Sequence, residues 1–79
     1  MSELVRQINR FFRTAIKSDI EDLHEELLLS DRQEKIFRMY YIRRLDLDFI
    51  ASELGVSSVV INKELKTIRK KLAKALDLM

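Results

Sequence analysis

Asn62, Lys63, Lys66, Arg69 and Lys70 fall within nine residues of this 79-residue chain, one, three or four positions apart. On a helix of about 3.6 residues per turn such spacing gathers side chains on one face. A carboxamide among four cations suits an extended polyanion. The cations can neutralise phosphates and release counterions, which gives affinity without sequence information. The carboxamide of Asn62 can bond an adenine edge in two places, and Lys63 can donate to guanine O6 or N7. Val59, one turn earlier, can meet a thymine methyl, and Ser57 and Ser58 precede it. The competing reading of Lys70, Lys71 and Lys74 is a solubilising helix end that complements the macrodipole.

Other chemistry is poorly supplied. His24 is the only histidine and stands among Asp22, Glu25 and Glu26, but this spacing matches no metal site and fits a solvated acidic helix. Cysteine and proline are absent and there is one glycine. That leaves no disulfide framework, no thiolate and no glycine-rich phosphate loop. No nucleophile–base pair stands out. The expectation is a binding module rather than an enzyme, with no cofactor and no metal.

The cations need a helix to carry them, and the intervening residues frame one. Ile61, Leu65, Ile68 and Leu72 cover about one third of the wheel at about 100° per residue. The far side then holds Val59, Asn62, Lys63, Lys66, Arg69, Lys70 and Ala73. Ser57 is placed to cap this helix, Val56 to fill a corner, and Gly55 to supply a left-handed backbone at little steric cost. Before it, Asp46 is the N-cap of a helix running to Leu54, with Ile50, Ala51 and Leu54 inward. Ala51 must be small where the second helix crosses. This is the sequence form of a helix-turn-helix.

Upstream, Ser30-Asp31-Arg32-Gln33 reads as a capping box. It opens a helix whose buried face is Ile36, Phe37, Tyr40 and Tyr41, with Met39 at its margin, and which breaks near 44–46. A short helix capped by Ser18 or Asp19 carries Ile20, Leu23, Leu27 and Leu28. The first helix is expected from Ser2 to about Ser18. Its apolar stripe is Leu4, Ile8, Phe11 and Ala15, widened by Val5, Phe12 and Ile16, opposite a basic stripe of Arg6, Arg10, Arg13 and Lys17. No segment alternates with the period of a strand. The expected fold is all-α, a small helical bundle of four to five helices containing a helix-turn-helix.

Charge lies in blocks: +3 over residues 1–18, −6 over 19–31, +4 over 32–45, −3 over 46–55 and +4 over 56–79. The basic surface is thereby concentrated along the second helix of the motif. Hydrophobic residues make up 47% of the chain, yet no apolar run approaches the roughly 18 residues of a membrane span. A cytoplasmic protein with no membrane partner is expected.

The segment LSDRQEKIFRMYYIRRLDLDFIASELGVSSVVINKELKTIRKKL resembles region 4 of bacterial sigma factors, above all the extracytoplasmic-function type. The match is carried by Leu29, Ser30, Gln33, Phe37, Tyr40, Leu45, Ile50, Ala51, Leu54, Gly55, Ser57, Ile61, Leu65, Arg69, Lys71 and Leu72. It spans about residues 29–72, more than half of the chain. The resemblance implies a domain that reads the −35 promoter element in the major groove of double-stranded DNA and touches the flap of the RNA polymerase β subunit. It carries over to Ser57, Ser58, Val59, Asn62, Lys63 and Lys66. Arg44 and Asp46 replace the family's frequent Gly-Leu-Ser run, and Leu47 and Phe49 stand where Tyr or Thr and Glu are usual. With Val59 and Val60 opening the reading helix, base preference does not carry over. LuxR-type regulators share the motif but continue into a dimerisation helix, whereas this chain stops seven residues after Leu72.

The domain reading is 1–28, an amphipathic helix plus a short acidic helix for packing or dimerisation, and 29–79, the sigma region 4-like helix-turn-helix. A homodimer is expected from the wide apolar stripe of the first helix; a partner's groove or a membrane surface are the alternatives for that helix. The alternative for the whole chain is a protein-interaction module that does not read DNA, docking through the acidic 19–31 block.

Overall fold

The computed structural model describes residues 2–78, and among them every regular element is helical. These are α1 (Glu3–Thr14), α2 (Lys17–Glu26), α3 (Asp31–Phe37), a π-helical turn (Arg38–Ile42), α4 (Leu47–Leu54) and α5 (Ser58–Ala75). The fold class is all-α. The chain divides into two compact units, Leu29–Ile68 and Met1–Leu28 together with Arg69–Met79.

The unit Leu29–Ile68 starts at the predicted capping box. Gln33 N–H donates to Ser30 Oγ at 3.2 Å and Ser30 N–H donates to Gln33 Oε1 at 3.1 Å. Two helix-end donors are thus satisfied reciprocally, and Gln33 is itself buried. Ile36, Phe37 and Tyr41 are buried, and Tyr41 meets Phe37 and Tyr40 at ring-centroid distances of 5.8 and 4.9 Å. The α-helix does not run on to the break as a regular helix. Over Arg38–Ile42 it widens, with Arg43 N–H donating to Arg38 O five residues back. Arg44 then adopts the left-handed conformation at φ 57° and Leu45 N–H reaches Met39 O. Ile50, Ala51, Ile61, Leu65 and Ile68 complete the core of this unit.

The other unit holds α1, α2 and the last seven residues of α5. Ser2 caps α1 by accepting from Val5 N–H at 3.2 Å. Here the structure corrects four expectations. First, α1 ends at Thr14, not near Ser18: Thr14 Oγ1 bonds back to Arg10 O at 2.9 Å and Ala15 is extended. Ile16 therefore leaves the apolar stripe and is 65% exposed. Second, neither Ser18 nor Asp19 is the N-cap of α2; that position is Ile16, whose N–H donates to the Asp19 carboxylate at 3.4 Å. An isoleucine side chain accepts nothing, so only this half of a capping box exists. Third, Leu28 is 85% exposed because the backbone turns extended at Leu27 and loses helical phase. Ile8, Phe12, Leu23, Leu27, Leu72 and Ala73 form the core of the unit. Ala73 was expected on the polar side; the buried face of α5 widens there to two consecutive residues. Lys71 Nζ donates to Leu28 O.

Candidate nucleic-acid interface

The positioning of α5 begins in α4. Asp46 Oδ1 accepts from Phe49 N–H at 2.8 Å, which fixes the start of α4 where the sequence places it. The helix stops at Gly55, with φ 67° and ψ 32°. Val56 N–H donates to Ala51 O at 3.1 Å and Gly55 N–H to Ser52 O at 3.3 Å. That pair of bonds is a Schellman motif, and it satisfies carbonyls that the helix end would leave orphaned. Val56 is half-buried in the turn.

Ser57 opens α5: Val60 N–H donates to its Oγ at 3.3 Å and Ile61 N–H to its carbonyl at 3.2 Å. A capping hydroxyl keeps its own O–H free to donate outward. Ser58, Val59, Asn62, Lys63 and Lys66 are all exposed, whereas Ile61, Leu65 and Ile68 are fully buried. At about 100° per residue, Val59, Asn62, Lys63 and Lys66 share an arc of about 100°. In the other unit, Arg69 is half-buried and Lys70 exposed.

Two electrostatic features sharpen this face. Among the described residues neither Lys63 nor Lys66 is held by a carboxylate, and the Asn62 carboxamide bonds no other group of the chain. Glu64, the single acid of α5, is half-buried and turned about 100° from Lys63. The four preceding α-helices each carry an acid in the first turn: Glu3, Asp19, Asp31 with Glu34, and Asp48. The first turn of α5 has none. Its positive macrodipole end is thus left for an outside anion, a signal present in the run Ser-Ser-Val-Val-Ile-Asn but not read from it.

Apolar residues also remain in solvent. Phe49 is 41% and Val59 61% exposed, while Leu47 and Val60 are half-buried. Tyr40, Asp46, Leu47 and Asp48 line an open hollow whose carboxylates suit a cation rather than a phosphate. His24 is half-buried in α2, and among the described residues no three His, Asp or Glu are gathered as a metal would require. No helix of the described residues is long and apolar enough to cross a membrane. Compared with protein-family models, curated proteins and solved structures, the chain matches none of them.

Proposed function

We propose that this protein is a DNA-binding transcription regulator of the sigma region 4 type, which lays α5 in the major groove of promoter DNA. The observation that carries the reading is the exposed arc of Val59, Asn62, Lys63 and Lys66, displayed on a helix whose start is fixed by the left-handed Gly55 and the capping Ser57. Lys63 and Lys66 engage phosphates, Asn62 and Lys63 reach base edges, and Ser57 and Ser58 donate to the backbone at the helix start. Arg69 and Lys70 are proposed as phosphate contacts of the other unit. RNA polymerase is the proposed protein partner and the cytoplasm the proposed compartment. The partner rests on the family resemblance of residues 29–72, the compartment on a sequence without cysteine and without an apolar run of membrane-span length.

Binding to a duplex, followed by fluorescence anisotropy at several salt concentrations, tests this. The two phosphate contacts of Lys63 and Lys66 give a slope of log K against log salt of about −1.8, and Lys63→Ala or Lys66→Ala each lowers its magnitude by about one. Absence of binding at low salt refutes the proposal. A pull-down with bacterial core RNA polymerase tests the partner separately.

The second reading, a protein-interaction module or homodimer, is favoured by one observation: Ile42, Phe49 and Val59 are large apolar side chains exposed in one unit. Light scattering that gives a monomer mass at micromolar concentration removes the homodimer.

A further inference from the structure

Val59 is the anomaly of the exposed face. It is 61% exposed, the most exposed of the large apolar residues in its unit, yet its neighbours on that face, Ser58, Asn62, Lys63 and Lys66, are all polar. An apolar side chain takes no hydrogen bond from a base edge or a phosphate. The one apolar feature that the four standard bases present in the major groove is the C5-methyl of thymine. Valine suits that contact, because branching at Cβ leaves essentially one χ1 rotamer in a helix and little freedom is lost on docking.

Asn62 lies one turn further along the same arc. Side chains three apart on a helix stand about 5–6 Å from each other, and base pairs stack about 3.4 Å apart. The two side chains therefore span neighbouring base pairs rather than one. Among the described residues the Asn62 carboxamide has no partner to release first, and its bidentate match is adenine N6 and N7.

We infer that Val59 and Asn62 together read two adjacent A·T pairs, Val59 through a thymine methyl and Asn62 through an adenine edge. The inference rests on the DNA-binding reading above and specifies the base chemistry of that same face. Lys66 supplies affinity that is common to all sequences.

The experiment uses the full chain. Preferred duplexes are first selected from a randomised pool. In the selected site each thymine is then replaced by deoxyuridine, which lacks only the methyl, and each adenine by 7-deazaadenine, which lacks the N7 acceptor. For the wild type, one deoxyuridine position weakens binding about fourfold, the effect of one buried methyl group. A neighbouring 7-deazaadenine position weakens it about tenfold. Val59→Ala loses the first sensitivity and keeps the second; Asn62→Ala does the reverse. Both residues are exposed, and circular dichroism checks that the variants keep their helix content. Salt-dependent binding without an A·T step in the selected sites, or with a wild type indifferent to deoxyuridine, overturns the inference and leaves DNA binding standing. A Val59→Ala variant that keeps the deoxyuridine effect also overturns it. If no duplex is bound at low salt, the DNA reading itself fails.

Discussion

Replacing Gly55 by alanine isolates the energetic cost of the turn that sets α5. Gly55 sits at φ 67°, and a Cβ added there meets nothing within 4 Å. Steric overlap therefore contributes nothing, and the whole effect comes from the backbone. Holding an L-residue in the left-handed region costs about 1–2 kcal/mol. Alanine recovers about 0.4–1 kcal/mol of this, because its unfolded chain has less freedom to lose than that of glycine. The expected net destabilisation is about 1 kcal/mol, or about 4–8 °C in Tm for a domain of this size. Gly55→Asn, which tolerates the left-handed region better, loses less. Urea titration followed by far-ultraviolet circular dichroism measures both variants, with an unchanged m-value as the sign that only stability moved. A gain in stability for alanine refutes the left-handed end of α4. A loss above about 3 kcal/mol refutes the open space around it.

Two further changes probe the other helix ends. Ser30→Ala removes the acceptor for Gln33 N–H and destabilises by about 1 kcal/mol, read from thermal melting. Asp77→Gly stabilises by several tenths to about 1 kcal/mol. Asp77 holds φ 58° at the end of α5, where Leu78 N–H bonds Ala73 O and Asp77 N–H bonds Lys74 O. Glycine fits that Schellman position without strain, and losing the carboxylate removes a negative charge from the negative end of the helix. A lower melting temperature for this variant contradicts the account.

The caps at Ser30, Asp46 and Ser57 and the core spacing were legible because their causes are local. Each of the three bonds an N–H three residues ahead, and Gly55 acts on its own backbone. Ile61, Leu65, Ile68 and Leu72 repeat with the helical period and are fully buried. What escaped has causes that spacing does not encode. Ala15 and Ile16 continue an apolar stripe, yet the backbone leaves the helix after Thr14 with no glycine or proline to mark it. The π-helical turn adds one residue to a turn whose aromatic residues still look periodic. Arg44 takes a left-handed position, and the sigma-like pattern often has a glycine in the run it belongs to. Ala73 is small enough to be enclosed from the side where its neighbours are charged. For the candidate interface, residue types on the exposed arc were readable, whereas the absence of a carboxylate partner for Lys63 and Lys66 among the described residues needed the packed structure.

The unit built from both ends of the chain has a consequence for folding order. Leu23 and Leu27 share a core with Leu72 and Ala73, about forty-five residues later. Bringing those segments together from an open chain closes a long loop and loses the corresponding entropy. Residues 29–68 make their own contacts over shorter separations, so they form at lower entropic cost and shorten the effective loop. Leu23 and Leu27 therefore complete their core only once the last turns of α5 are in place.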